Sequence, residues 1–548
     1  MMRLRAQNRK IETALTVLLL LVLLGYLALY AYADFRGFAR MSTSDMYEDT
    51  LVARLMWEGG TLFPKRFLFG NQLYVIATPA LSALFYGLTG SMNLAMALAT
   101  TCMSLLLLLS LDWMLRPFTK RPLLRAAALL AAVGLFFGPA SIRREDGPQL
   151  FYVMCSFYAC YTITNFVVMG DYARARSDSR LRLPALLAVS ALCFCTGLQS
   201  PRQTAVTVLP LLCLEGLRLL SRLRKKLPPL APGTRMPLLR TLAYAAANLA
   251  GLWASRFLPA RKHTIYTGAS IFSGASAADK LRSVRLALST VSGLDYVIKS
   301  DAWWFFLLMF LFCLLLELAA AWLLLFRRKE EETDAACFWR LSLIAALGAI
   351  AAFFVTSVNL RPIYLFPLYF LPALSLVLIA RRVRPGLLYI LTGVLLVLTA
   401  ANLYFSYRED VAAINDPRET ASEAVCRYAL ENGYELVYGT HASTAPNIAV
   451  CSDGKLIAGC WDGDVIFKVS PHINIRDVYH FRDYERGIYV FLDYELKAAL
   501  YEAEAANTTL TFRGQFGPYY VYTSSFQLLY PVSDNVDYNP RWMEEYQN

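Results

Sequence analysis

The sequence predicts an α-helical polytopic membrane bundle of about eleven transmembrane helices, followed by a small C-terminal domain of the α/β or α+β class. Hydrophobic residues make up 57% of the 548 residues and charged residues only 17%, with a mean hydropathy of +0.42. A soluble core cannot bury so large an apolar share. Long apolar stretches recur up to about residue 405 and then stop, so we divide the chain into a membrane domain, 1–405, and an extracytoplasmic domain, 406–548.

The apolar stretches and the basic connections between them predict the topology. The stretches long enough to span lie at 13–33, 94–115, 126–141, 150–169, 184–199, 204–220, 237–258, 302–326, 338–358, 362–380 and 387–405. Arginine and lysine concentrate in the N-terminus and in the connections 116–125, 171–182, 218–240, 327–340 and 381–384. Because cytoplasmic loops carry the excess of basic residues, we place all of these inside. The net charge of +12 is thereby assigned to topology and not to nucleic-acid binding.

One apolar stretch, Leu73–Thr89, breaks this alternation. If it spanned, the N-terminus and the basic connection at 116–125 would lie on opposite sides of the membrane. The stretch is short and contains Pro79, so we predict an interfacial or re-entrant helix within an outer loop, 34–93. The N-terminus is then cytoplasmic, and everything from residue 406 onward lies outside.

The C-terminal domain is predicted from a change in composition, because Asp, Glu, Asn and Gly rise after residue 405. The pattern predicts a helix at Thr420–Asn432 and strands at Glu435–Tyr438, Val465–Val469, Gly487–Leu492 and Tyr519–Thr523. If this domain lies outside the cell, Cys451 and Cys460 could pair.

Ionisable residues gather in the segments assigned to the outside. Asp45, Glu48 and Asp49 lie within about one helical turn in the first outer loop. The others are Arg143, Arg144, Glu145, Asp146, Arg202, Arg256, Arg261, Lys262, His263 and Arg361. Arginines can hold the phosphate of an anionic lipid while a carboxylate takes a proton or holds a divalent metal. The alternative for the three acids is an ordinary helix start, capped by Ser44 and favoured by the helix dipole.

The first outer loop carries a resemblance to a known enzyme class. A short basic N-terminus and one span are followed by Asp45, with Ala53 and Arg54 eight and nine positions later and a glycine turn after them. This order resembles the GT-C class of polytopic membrane glycosyltransferases. Within that class it is similar to the bacterial relatives of protein O-mannosyltransferases and lipid A aminoarabinose transferase. In that group a Glu usually follows the Asp, whereas Met46 stands there in this chain.

Three later segments add to the resemblance. The stretch Asn71–Gly90 is similar to the interfacial helix of the class, and Thr196–Pro210 is similar to its Gly-Leu-x-x-x-Thr-Lys-Gly segment, with Arg202 near the basic position. Arg361–Pro367 is similar to the late Arg-Tyr-Leu-x-Pro motif, although two residues separate the Arg from the Tyr. The resemblance covers the membrane domain only.

The resemblance implies a glycosyltransferase that uses a polyprenyl-phosphate-linked sugar donor at the outer face of the cytoplasmic membrane. The acceptor would be a cell-envelope glycan, a lipid or a protein, and inversion or retention is left open. Asp45 would be the catalytic acid-base residue, and Arg361 and Arg202 would bind the donor phosphate. The candidates for binding the acceptor or a divalent metal, Mg or Mn, are Glu48, Asp49, Glu145, Asp146 and His263.

Two other functions remain open from the sequence. A transporter or flippase for a lipid-linked substrate would need polar or broken-helix features near the bilayer midplane. Few charges lie within the spans, Glu317 being the deepest, and the sequence has no internal repeat. A membrane-anchored binding or scaffold protein would work through the C-terminal domain. The outward acids and arginines favour an enzyme over both.

Overall fold

The structure, a computed structural model, is mostly helical and ends in a mixed sheet. It describes residues 2–67, 69, 72–135, 151–153, 158–177, 182–228, 230–258, 260, 276–294, 301–326, 334–355, 360–441, 444–461, 467, 484–505 and 507–525. The chain divides into two compact units. The helical unit comprises 1–31, 103–255 and 269–411, and the mixed unit comprises 32–102, 256–268 and 412–548.

Long helices build the helical unit and the segments that continue from it. They are α1 (Met2–Arg36), α5 (Met92–Leu115), α6 (Pro122–Gly134), α7 (Tyr158–Ser177), α8 (Leu183–Gln199), α9 (Leu209–Arg224), α10 (Pro232–Ala254), α11 (Ala277–Val291), α12 (Trp303–Phe326), α13 (Asp334–Val355), α14 (Leu371–Ala380) and α15 (Pro385–Ile414). A π-helical turn, Thr204–Val208, leads into α9, and a 3₁₀ helix, Pro362–Phe370, leads into α14.

The described part of the chain contains seven helices long and apolar enough to cross a membrane. They are Arg9–Arg36, Met92–Leu115, Thr204–Arg224, Trp303–Leu325, Ala336–Val355, Pro362–Ala380 and Pro385–Ile414. The other predicted spans contain α6, α7, α8 and α10, which are shorter or less apolar. The predicted polytopic helical architecture is therefore confirmed, and the count of about eleven spans stays a prediction.

Small residues let α8 and α10 approach closely. A Cβ atom on Gly197 would lie 2.1 Å from the Asn248 carbonyl oxygen, and one on Gly251 would lie 2.1 Å from the Phe194 carbonyl oxygen. The Asn248 side chain donates a hydrogen bond to the Cys193 carbonyl at 3.0 Å. Close backbone approach with a bridging polar side chain is a common way to pack helices in lipid.

Charged groups on these helices are paired. Asp112 accepts hydrogen bonds from Arg125 at 2.7 Å, and Asp171 accepts from Arg240 and Tyr244. Glu317 Oε2 accepts from Trp339 Nε1 at 2.9 Å and from Ser375 Oγ at 2.8 Å, and so joins α12 to α13 and α14. Glu317, the deepest ionisable residue in the predicted spans, thus connects three packed helices.

The mixed unit contains short helices and one five-stranded sheet. Its helices are α2 (Phe38–Met41), α3 (Ser44–Glu58), α4 (Thr78–Thr89), α16 (Ala421–Glu431), α17 (Ala445–Ala449) and α18 (Asp493–Ala505). Its strands are β1 (Leu436–Thr440), β2 (Ile457–Trp461), β3 (Gly487–Leu492), β4 (Leu510–Phe516) and β5 (Tyr519–Ser524). The strand order is β2-β1-β3-β5-β4. The strands β2, β1 and β3 are parallel, whereas β5 and β4 pair antiparallel.

The predicted C-terminal elements are only partly found. The predicted helix corresponds to α16, which a capping box of Thr420 and Glu423 begins, and three predicted strands correspond to β1, β3 and β5. The predicted strand Val465–Val469 lies outside the described residues except for Phe467, which is in a turn. Strands β2 and β4 were not predicted, and no disulfide joins Cys451 and Cys460, both of which the structure describes.

The outer-loop helix α4 is shorter than predicted because it begins at Thr78. Twelve residues give a length of about 18 Å, well below the ~30 Å of a bilayer core. The helix ends at Gly90, whose φ of +68° suits glycine, and it packs against α3 while exposing Leu84 and Leu88. An interfacial position for α4 stays a prediction. The predicted domain boundary at residue 405 also stays a prediction, and the outer-loop residues 32–102 belong to the mixed unit together with residues 412–548.

Candidate functional site

The helix α3 carries the three acids of the first outer loop. It begins at Ser44, after Thr43 in an extended conformation with φ −99° and ψ 171°, and it ends before Gly59. Thr43 is therefore the N-cap residue, and the expectation that Ser44 would cap was wrong. Asp45 lies in the first turn, where a carboxylate interacts favourably with the helix dipole.

The three acids have different surroundings because successive helical residues point about 100° apart. Asp45 is exposed, and no hydrogen bond or ion pair to its carboxylate is found among the described residues. Glu48 is partly buried, and its Oε1 lies 2.7 Å from His441 Nε2. Asp49 is only 2% exposed. Of the three carboxylates, that of Asp45 is thus the most exposed.

Burial is the main cause of the pKa shift of the Asp49 carboxyl. Desolvation raises the pKa of its carboxyl well above the ordinary 3.8, and the nearby charges of Asp45 and Glu48 raise it further, against a hydrogen bond with Tyr74 that lowers it. Burial likewise raises the pKa of Tyr74. A neutral carboxyl suits a packing position better than a catalytic base.

We expect Asp49→Asn to stabilise the protein at neutral pH. Because the pKa of the Asp49 carboxyl is raised in the folded state, its protonation adds to the free energy of unfolding, and this contribution is complete below pH 3.8. The contribution is lost as pH rises through the folded-state pKa, by up to about 1.4 kcal/mol per pH unit. The melting temperature of the variant in detergent should exceed that of the wild type at pH 8, with a smaller gap at pH 5. A gap of equal size at both pH values would contradict a raised pKa.

Three contacts fasten α3 to the C-terminal sheet within the mixed unit. Tyr47 accepts a hydrogen bond from the Ala458 amide at 2.9 Å, and Arg54 donates to the Gly454 carbonyl at 2.8 Å. The third is the Glu48–His441 contact. Sequence reasoning did not single out His441, and the signal available was a histidine three residues after the predicted strand Glu435–Tyr438.

The two predicted phosphate ligands lie in the helical unit, and Tyr158 lies between the segments that carry them. The Arg202 guanidinium carbon lies 5.3 Å from the centre of the Tyr158 ring. The same ring packs edge-to-face on Phe366, at 5.8 Å between ring centres, in the 3₁₀ helix that begins directly after Arg361. Arg361 itself is exposed, with φ −94° and ψ 148°.

The remaining candidate residues are those predicted to bind a divalent metal ion or the acceptor. Glu145, Asp146 and His263 lie outside the described residues. Within the described ranges, no group of three or more His, Cys, Asp or Glu side chains is arranged to hold a metal ion. Glu48 contacts His441 and Asp49 is buried, and a role of these two acids in binding a metal or the acceptor stays a prediction. A magnesium or manganese ion stays a prediction.

The comparisons with known proteins concern the fold. No family model matches the sequence, and no curated protein matches it either. The solved structure of ArnT from Cupriavidus metallidurans, bound to undecaprenyl phosphate, is 12% identical, with a TM-score of 0.50 over 95% of this chain and 100% of that one. The chain has the ArnT fold.

Two structures of the oligosaccharyltransferase of Archaeoglobus fulgidus are also similar. The apo form is 12% identical over 82% of this chain and 64% of that one, with a TM-score of 0.43. The complex with zinc and sulfate is 11% identical over 92% and 73%, with a TM-score of 0.41. ArnT is an aminoarabinose transferase of the GT-C class, so the GT-C-like architecture predicted from the sequence is confirmed.

Proposed function

We propose that this protein is a multi-pass membrane glycosyltransferase that moves a sugar from a polyprenyl-phosphate-linked donor to an acceptor outside the cytoplasm. The observation that carries the proposal is the ArnT fold over nearly the whole chain, in a neighbour whose structure contains undecaprenyl phosphate. The outer-loop spacing of Asp45, Ala53 and Arg54 supports it, as does the exposure of Asp45 on α3.

The proposed reaction transfers the sugar in one balanced exchange. The acceptor hydroxyl attacks the anomeric carbon, and a new carbon–oxygen bond forms as the bond from that carbon to the donor phosphate breaks. The electron pair stays on the phosphate, which leaves as polyprenyl phosphate. The hydroxyl proton goes to the Asp45 carboxylate, in the role of general base.

Arg361 and Arg202 are proposed to bind the donor phosphate. The phosphate gains negative charge as the glycosidic bond breaks, and a guanidinium placed in advance stabilises that charge. Arg361 is exposed at a helix start, and the Arg202 guanidinium carbon lies 5.3 Å from the centre of the Tyr158 ring. A cell-envelope glycan, a lipid or a protein is the proposed acceptor class, and the C-terminal domain is proposed to face the same, outer compartment.

Glycan analysis of a strain lacking the gene tests this function. We expect one sugar to be missing from an envelope glycan, lipid or protein, and to return when the wild-type gene is restored. The carrier-linked donor should accumulate in the deleted strain. An unchanged glycan profile with no donor accumulation would contradict a transferase and would favour a binding or scaffold protein.

A further inference from the structure

His441 lies at the end of the central parallel strand of the C-terminal sheet. It directly follows β1, which pairs with β2 on one side and β3 on the other. Its Nε2 lies 2.7 Å from Glu48 Oε1, and the His441 and Glu48 side chains are only 14% and 19% exposed. An ionised carboxylate can only accept hydrogen bonds, and the imidazole Nε2 is the donor to Glu48 when that carboxylate is charged.

The helix α3 runs antiparallel to β2, as its contacts reveal. Arg54, near the C-terminal end of α3, contacts Gly454, which precedes β2, whereas Tyr47 contacts Ala458 inside β2. The first turn of α3 therefore points toward the carboxyl ends of the parallel strands. At that end of the helix, His441 contacts Glu48. Glu48 lies three residues after Asp45, which is slightly less than one helical turn.

The other two contacts involve Tyr47, which also lies in the first turn, and Arg54, about two turns later in the helix. Tyr47 binds the free edge of β2 and Arg54 binds a turn, and neither side chain comes from the face that carries Glu48. Thr43 provides no side-chain cap, so the first turn lacks this usual local support. Of these three contacts, the one from the His441 imidazole is the contact that reaches an acidic side chain, that of Glu48.

We propose that His441 is a positioning residue, which holds Glu48 and thereby fixes the first turn of α3 and the direction of the Asp45 carboxylate. The inference rests on the proposed function, because it gives the C-terminal domain a part in the transfer step. His441 touches neither the donor nor the acceptor. Its removal therefore lowers kcat by misplacing the base, and leaves the KM for the donor unchanged.

The test compares His441→Ala, His441→Gln, Glu48→Ala and the double alanine variant in full-length protein in detergent. Gln retains a side-chain N–H donor, so His441→Gln should keep kcat within about 3-fold, whereas His441→Ala should lose about 10- to 100-fold. The double variant should be no worse than the worse single variant, because the two side chains act as a unit. Glu419→Gln, which removes a surface pair with Arg427, is the matched control and should leave kcat unchanged.

Amide hydrogen exchange of the peptide spanning 44–58 gives a readout that needs no activity. We expect faster exchange in His441→Ala and wild-type exchange in His441→Gln and Glu419→Gln. Unchanged kcat and exchange in His441→Ala, or equal losses in His441→Ala and His441→Gln, would overturn the proposal. If the wild type transfers no sugar, the proposed function fails while the exchange result alone decides whether His441 holds the helix.

Discussion

Replacing Asp45 by Asn is expected to lower kcat for sugar transfer by about 10³-fold, the usual contribution of a general base. The amide keeps the size of the side chain and its favourable position at the helix start, and it cannot take the proton of the acceptor hydroxyl. The KM for the donor should change little. The rate of polyprenyl phosphate release by purified protein in nanodiscs measures the effect.

Asp493→Asn is the matched control for Asp45→Asn. Asp493 is also an exposed aspartate in the first turn of a helix of the mixed unit, and an Asn there keeps an oxygen that can accept the hydrogen bond from Tyr520. We expect full activity in this control. Wild-type kcat in Asp45→Asn would mean that Asp45 serves only the helix dipole, whereas equal losses in both variants would point to a folding effect.

Replacing Arg361 by Ala is expected to lower kcat/KM by about 10²-fold, because the charge that grows on the departing phosphate loses its partner. Arg361→Lys should recover part of the loss, since an ammonium keeps the charge and lacks the bidentate geometry. Binding of undecaprenyl phosphate to the purified protein should weaken in Arg361→Ala. Kinetics with the donor and titration with the lipid phosphate measure the two effects.

Arg384→Ala provides the control for the Arg361 variants. Arg384 is exposed and precedes Pro385 at the start of α15, just as Arg361 precedes Pro362 at the start of the 3₁₀ helix. The predicted topology places Arg384 on the cytoplasmic side, so its loss should leave transfer unchanged. If Arg361→Ala binds and turns over the donor like Arg384→Ala, the proposed role of Arg361 is wrong.

The sequence predicted the helical architecture well because burial in lipid imposes a strong pattern. A span needs about 20 apolar residues, and runs such as those in α12 and α15 meet this requirement without help from the rest of the chain. The short outer helix was predicted from sidedness, and its bounds were wrong by five residues at the start, where Leu73 was expected and Thr78 is found.

The C-terminal sheet was predicted less well because its missing strands carry weak signals. Strand β2 has the sequence Ile-Ala-Gly-Cys-Trp. It is short and contains glycine, so its intrinsic strand propensity is low. Strand β4 lies at the edge of the sheet and exposes much of its length. An edge strand of this kind lacks the buried alternation on which strand prediction depends.

The arrangement of the acids was beyond local reasoning. Spacing placed Asp45, Glu48 and Asp49 on one helix, but the partner of Glu48 is 393 positions away in the chain. Only the fold reveals that His441 contacts Glu48, that Asp49 is buried and that Asp45 stays exposed. Our proposal that Asp45 is the base depends on this difference in exposure among the three acids.

The most direct test of donor use is a transfer assay in liposomes that contain the purified protein. Polyprenyl-phosphate sugars labelled in the sugar serve as donors, and envelope extract from the deleted strain supplies the acceptor. The proposed function predicts that the label passes to the acceptor while an equal amount of polyprenyl phosphate is released. Label that crosses to the other leaflet still attached to its lipid, with no lipid phosphate released, would contradict it and identify a transporter.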